Sequence, residues 1–258
     1  MDPIESTSDL DILSCGRICD EHIREARLIQ SSLIPAALFR NPSIEIAFRL
    51  TTFFEVGGDF VDFFRLPDGM IGLYMGDVVG KGLPATMYGA LVMGTLRGIH
   101  KSGIDTGKIL SLLNHRLLQR PLPGRFCSTL YAVFDPATHR LAFSNAGLPF
   151  PLHASDTACQ PLGEGGLLSG LLPDAQYEQH IIQLSPGDTV LFATDGLHEA
   201  RNPEGIEFSS DCMPALVAQC ESKSATESLD HLFDGLHAFS NGTLPHDDIT
   251  AAVLKVLP

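Results

Sequence analysis

The sequence predicts an α+β sandwich, and three observations point there. Short apolar runs of strand character recur from residue 44 to the end, separated by turn residues. A few longer stretches with helical spacing interrupt them. The 258 residues, 44% hydrophobic and 19% charged, suffice for one large domain with an appendage.

The first element spans residues 9 to about 35. Ile12, Ile18, Ile23, Ala26, Ile29 and Leu33 recur at three- to four-residue steps, Glu21, Arg24, Glu25 and Arg27 fill the other face, and Pro35 ends the pattern. Such a helix packs on its own domain or serves as a linker or dimer helix; the pattern fits both. Strands are expected at 44–52, 60–66, 70–75, 130–134, 141–144, 177–184, 189–193 and 250–257. Pro67-Asp68-Gly69 and Asp135-Pro136-Ala137-Thr138-His139 are hairpin signals. Helices are expected at 84–101, opening on Pro84, at 106–118, at 225–239 and, shorter, near 213–220. The chain has no internal repeat and no low-complexity tract.

Charge narrows the function. The net charge is −14, from 17 basic and 31 acidic side chains. No basic run is present to neutralise nucleic-acid phosphates, and a negative field opposes anionic lipid. The same field suits a cation. No apolar run approaches the roughly 18 residues of a membrane span. The acidic start, MDPIESTSDLD, is not a secretory signal. Cysteines at 15, 19, 127, 159, 212 and 220 lack zinc-site spacing and read as reduced thiols of a cytoplasmic protein.

Four aspartates sit at the ends of apolar strands: Asp59 after Gly57-Gly58, Asp77 after Gly76, Asp195 before Gly196, and Asp247 beside Asp248. If Pro67-Asp68-Gly69 is a three-residue loop, Leu66 faces Met70, and the same ladder sets Asp59 opposite Asp77. Their Cβ atoms would then stand about 5 Å apart, where like charges repel unless something positive lies between them. Glycines at 57, 58, 76, 80, 82 and 196 permit unusual backbone angles and close approach of carbonyls to an ion. Carboxylate, carbonyl and water ligands select Mg²⁺ or Mn²⁺. Asp68-Gly69 and Asp188 read as ordinary turns. Gly80-Lys81-Gly82 precedes a helix amino terminus, a place suited to anions, and Lys81 is a candidate for holding a phosphorylated partner or a solvated loop lysine.

These motifs resemble the bacterial type 2C (PPM) protein phosphatases of the sporulation and stress-response branch, which act on sigma-factor regulators. The resemblance runs from about Ala26 to Lys255. It comprises Ala26-Arg27-Leu28-Ile29-Gln30 with Leu33-Ile34-Pro35, Val56-Gly57-Gly58-Asp59-Phe60 with Asp62-Phe63-Phe64, and Gly76-Asp77-Val78 with Gly80-Lys81-Gly82 and Ala85. It continues through Asn145-Ala146-Gly147, Pro186-Gly187-Asp188, Thr194-Asp195-Gly196 with Glu199-Ala200, and Asp247-Asp248-Ile249-Thr250. Two departures occur: Leu148 stands where the family usually has histidine, and Ser209 where it has glycine.

The resemblance implies two antiparallel sheets flanked by helices, with a linker or regulatory helix at 1–35 and the phosphatase domain at 36–258. It implies two Mn²⁺ or Mg²⁺ ions, bridged by Asp77, with the Val78 carbonyl adding a ligand, Asp59 serving one side through its carboxylate or a bound water, and Asp195 and Asp247 holding the other ion. Asp77 and Asp195 would be essential to catalysis, and Asp248 would stand behind the ligands. The implied reaction is hydrolysis of phosphoserine or phosphothreonine by a hydroxide shared between the ions. The implied partner is an anti-anti-sigma (STAS-type) factor, and the first helix suits a homodimer contact. A phosphatase fold that binds without turnover is the alternative. A P-loop at Gly80-Lys81-Gly82 is excluded by spacing and by Gly82 where Ser or Thr is needed. A nucleotidyl cyclase leaves the later aspartate motifs unexplained.

Overall fold

The structure is a computed structural model describing residues 7–100, 105–155, 158–209 and 212–258. Its helices are α1 (Thr7–Leu33), α2 (Gly82–Ile99), α3 (Thr106–Leu118), α4 (Asp195–His198), α5 (Cys212–Ala218) and α6 (Ala225–Ser240). Its strands are β1 (Leu38–Arg40), β2 (Ile44–Thr51), β3 (Phe60–Arg65), β4 (Ile71–Val78), β5 (Cys127–Asp135), β6 (Arg140–Ala146), β7 (Leu152–Ala154), β8 (Cys159–Pro161), β9 (His180–Gln183), β10 (Thr189–Ala193) and β11 (Ile249–Val256). Lys101, the expected end of α2, and the acidic first residues lie outside the described residues.

The strands form two antiparallel sheets. One has the order β1-β2-β11-β10-β7-β8 and the other β3-β4-β5-β6-β9. Side-chain alternation builds the layers. Ile44, Ile46 and Phe48 of β2, Ile71, Leu73 and Met75 of β4, and Ala252, Leu254 and Val256 of β11 meet between the sheets. The opposite face of the five-stranded sheet, with Tyr74, Val78 and Tyr131, packs on Val92 and Leu96 of α2 and Leu110 and Leu113 of α3. The opposite face of the six-stranded sheet, with Leu191, Ala251 and Val253, packs on Met213, Leu229 and Leu232 of α5 and α6. The result is the expected sandwich of two antiparallel sheets flanked by helices.

Local chemistry sets the elements. Ser224 and Glu227 form a reciprocal capping box that starts α6, worth about 1 kcal/mol. Pro67–Gly69 makes a single tight turn in which Gly69 takes φ +81°, and Leu66 N–H donates to Met70 O at 2.8 Å. The expected 135–139 hairpin closes with Asp135 paired to Arg140 and the Asp135 carboxylate accepting Ala137 N–H and Thr138 Oγ1.

Three details differ from the sequence reading. The strand expected at 177–184 forms only at His180–Gln183. β1, β7 and β8 are three residues each, too short to leave a periodic signal. Ile29, assigned to the buried stripe of α1, is 63% exposed beside Leu28 at 71%. At its end α1 meets the domain through Gln30 and Leu33, while Ile29 faces away.

Candidate metal centre

The ladder between β3 and β4 runs in the register that the Pro67–Gly69 loop predicts, from Arg65 opposite Ile71 to Phe60 opposite Gly76. One step further, Asp59 and Asp77 meet, and their carboxyls are in hydrogen-bonding reach. Asp59 is 2% exposed. Its Oδ2 accepts Thr194 Oγ1 at 2.9 Å and Thr250 Oγ1 at 2.5 Å. Thr194 follows β10 and Thr250 lies on β11, so an aspartate from one sheet is gripped by hydroxyls of the other. This places the centre at one end of the sandwich, where both sheets contribute.

Asp248, 4% exposed, has a different task. Its Oδ1 accepts Phe53 N–H at 2.7 Å and its Oδ2 accepts Gly58 N–H at 2.7 Å. The carboxylate staples the 53–58 loop to the head of β11. The glycines here answer to crowding rather than to unusual angles. A Cβ on Gly57 would strike the Asp248 carboxylate, and one on Gly196 the Asp248 carbonyl. Of the glycines flanking the four aspartates, only Gly80 (97°) and Gly82 (66°), the pair around Lys81, take positive φ.

Asp195 is the first residue of α4, a helix too short to register as a pattern, and lies on the exposed rim. Asp247 is half-buried. Its Oδ1 accepts Asp248 N–H, and its Oδ2 pairs with Lys81 Nζ at 2.9 Å. Lys81 also donates to His246 O and lies over the Phe53 ring, 4.9 Å from its centroid. It is therefore neither a free loop lysine nor open to an anion as it stands.

Electrostatics bind these groups together. Burial first, then Asp77, pushes the Asp59 carboxyl well above its ordinary range, against the lowering effect of Thr250. Asp77 is pushed up to about 7 by burial, then by Asp195 and Asp247. Loss of solvation, Glu199 and Asp247 raise Asp195. Lys81 offsets part of this negative charge. Among the described residues, no three His, Cys, Asp or Glu side chains stand close enough to hold an ion between them. Asp59 turns to its threonines and Asp247 to Lys81. The donor chemistry fits a hard cation that keeps several waters and takes one or two carboxylates directly. Asp59, Asp77, Asp195, Asp247 and the Val78 carbonyl are the groups available to it.

Sequence reasoning missed the residues that act from outside the motifs' centres. Thr194 and Thr250 were quoted only as neighbours of aspartates; hydroxyls beside strand-end carboxylates were the available signal. Arg125, whose Nη1 donates to Val79 O at 2.7 Å, left no signal. Arg49 pairs with Asp230 and stacks on Phe233, and Arg97 pairs with Asp62. Leu148 is buried in the intersheet core, and its backbone exchanges two hydrogen bonds with the Asn145 side chain. Ser209 N–H donates to His198 O.

A family model described as Stage II sporulation protein E (SpoIIE) matches residues 67–257. The chain is 25% identical over 235 residues to phosphoserine phosphatase RsbU of Bacillus subtilis (strain 168), covering 90% of this chain and 69% of RsbU. The SiaA-PP2C domain of Pseudomonas aeruginosa superposes with a TM-score of 0.82 at 20% identity, over 94% of this chain and 98% of that one. The RsbU and RsbW domains of Rv1364c from Mycobacterium tuberculosis superpose with a TM-score of 0.71 at 26% identity, over 84% of this chain and 60% of that one. The chain belongs to the SpoIIE family and shares the fold of the SiaA-PP2C domain.

Proposed function

We propose that this chain is a Mn²⁺- or Mg²⁺-dependent phosphatase that hydrolyses phosphoserine or phosphothreonine on a regulatory protein. The observation that carries this reading is the meeting of Asp59 and Asp77, at the end of the β3–β4 hairpin, with the ends of β10 and β11, where Thr194 and Thr250 bond Asp59 beside Asp195 and Asp247. Two cations held there would neutralise phosphate oxygens and lower the pKa of water toward neutrality. Asp77 would serve both ions, and Val78 O would add a ligand. Asp195 and Asp247 would serve the outer ion, and Asp59, oriented by Thr194 and Thr250, the inner one. Asp248 holds the loop behind them. Lys81 would release Asp247 to the cation and turn toward the phosphorylated segment.

The phosphoserine phosphatase RsbU supports a phosphoserine substrate, and the motif resemblance to phosphatases of sigma-factor regulators makes a STAS-type anti-anti-sigma factor the candidate. Residues 36–258 would be the phosphatase domain and 1–35 its regulatory helix. The exposed Leu28 and Ile29 of α1 suit a homodimer contact, which a monomer in light scattering at high concentration would refute. Among the described residues no helix is long and apolar enough to cross a membrane.

The test is phosphate release from p-nitrophenyl phosphate and from phosphorylated STAS proteins, with Mn²⁺ and with EDTA. Turnover with Mn²⁺ that EDTA abolishes is expected. Full activity in EDTA would refute the metal mechanism, and no turnover with Mn²⁺ would leave a binding module.

A further inference from the structure

Gln30, near the end of α1, closes a two-way pair with the backbone of a single residue. Its Nε2 donates to Gly57 O at 2.9 Å, and its Oε1 accepts Gly57 N–H at 3.3 Å. Gly57 O also accepts Thr86 Oγ1 of α2 at 2.8 Å. The next N–H, that of Gly58, goes to Asp248 Oδ2. A Cβ on Gly58 would lie 2.9 Å from Val78 O and 3.2 Å from Asp77 Oδ1. The segment gripped by Gln30 therefore runs directly against the candidate ligands, and its third residue is Asp59.

Two consecutive glycines have a wide choice of backbone angles, so one conformation must be imposed from outside. Three elements impose it: α1 through Gln30, α2 through Thr86, and the head of β11 through Asp248. The end of α1 is itself pinned, because Arg97 donates Nη2 to Leu33 O at 2.5 Å and Nε to Asp62 Oδ2 at 2.8 Å. Gln30 thus reaches the loop from a fixed base.

We propose that Gln30 is a positioning residue for the metal centre: from the amino-terminal helix it sets the Gly57–Gly58–Asp59 backbone so that Asp59 faces the same cation as Asp77 and Val78 O. The proposal rests on the metal-centre reading above. Gln30 acts through Gly57 and touches neither cation nor substrate. Thr86 shares one of its two bonding partners, the Gly57 carbonyl, so the two side chains act on the same group and their effects are coupled.

The test measures Mn²⁺ binding by titration calorimetry on the full chain, beside Mn²⁺-dependent turnover, amide exchange across residues 53–60 and thermal melting. Gln30→Ala is expected to weaken Mn²⁺ binding roughly five- to tenfold, the scale of a lost hydrogen-bonded pair. The Mn²⁺ concentration for half-maximal turnover should rise by the same factor, with kcat at saturating Mn²⁺ retained and exchange across 53–60 accelerated. Gln30→Ala and Thr86→Val should combine non-additively. Ser32→Ala, which removes a hydroxyl that donates to Ile29 O within the same helix, should change none of these. Unchanged Mn²⁺ affinity in Gln30→Ala, with or without a lower melting temperature, overturns the proposal. If the wild type binds Mn²⁺ but releases no phosphate, the phosphatase reading falls and the calorimetry still decides Gln30. If the wild type binds no Mn²⁺, both fall.

Discussion

The inner and outer halves of the carboxylate cleft are built differently. Asp59 and Asp248 are nearly sealed from solvent, and their hydrogen bonds go to Thr194, Thr250, Phe53 N–H and Gly58 N–H. Asp195 and Asp247 stand at the rim, and one oxygen of the Asp247 carboxylate pairs with the ammonium of Lys81. Both halves carry the same functional group, so the difference is environment. A buried carboxylate is tolerable only with its lone pairs satisfied, and once satisfied it becomes part of the frame. A rim carboxylate stays solvated and can exchange an ammonium for a metal ion at little cost. Asp77, between them and pushed up to about 7 by burial and by its outer neighbours, belongs to both.

This contrast predicts opposite phenotypes. The largest effect is expected on activity from Asp77→Asn and Asp195→Asn, which should cut Mn²⁺-dependent phosphate release by at least about a hundredfold, since even supporting residues of metal sites cost 10–100-fold. Their circular dichroism and melting should stay close to wild type; wild-type activity in either would break the comparison at its outer half. Asp248→Ala should do the reverse and strike stability first. It strands the buried Gly58 N–H, at a cost of about 1–3 kcal/mol, and the part-buried Phe53 N–H, at a smaller one, for a fall in melting temperature of about 3–12 °C. An unchanged melt would show that Asp248 is not part of the frame.

Smaller effects sharpen the contrast. Thr250→Val removes one of the two hydroxyls on Asp59 Oδ2 and should cost about 1 kcal/mol in denaturant unfolding while weakening Mn²⁺ binding. Lys81→Ala breaks a half-exposed ion pair and should change stability by less than about 1 kcal/mol. If Lys81 turns to the phosphorylated segment, its loss raises KM for the phosphoprotein and leaves Mn²⁺ affinity intact. The smallest effect concerns His198, whose imidazole burial pushes down to about 4 from an ordinary 6.5. The folded state then refuses a proton that the unfolded state accepts, so stability present above pH 6.5 is lost as pH falls toward 4. Melting curves at pH 7.5 and 5 should converge when His198→Asn is compared with wild type.

Much of this architecture was legible in the residues. The strands at 44–51, 60–65 and 189–193 and the helix at 106–118 follow from apolar periodicity and clear terminal signals. The β3–β4 register followed from one three-residue loop, because side chains alternate strictly along a ladder and a tight turn leaves no slack. The elements that escaped are β1, β7, β8 and α4, three or four residues long. Segments so short are held by neighbours rather than by their own periodicity.

The site was legible in its members and not in their division of labour. Spacing alone determined that Asp59 and Asp77 would meet, because they share one hairpin. Asp247 and Asp248 are adjacent and chemically identical, and nothing local separates them. Only the packing of the 53–58 loop against the head of β11 decided that Asp248 holds backbone amides while Asp247 faces the cleft. Likewise Gln30 and Thr250, from distant parts of the chain, bond Gly57 and Asp59, two residues apart. Hairpin partners are set by local covalent geometry; contacts between sheets and between a helix and a loop are set by the shape of the core that brings them together.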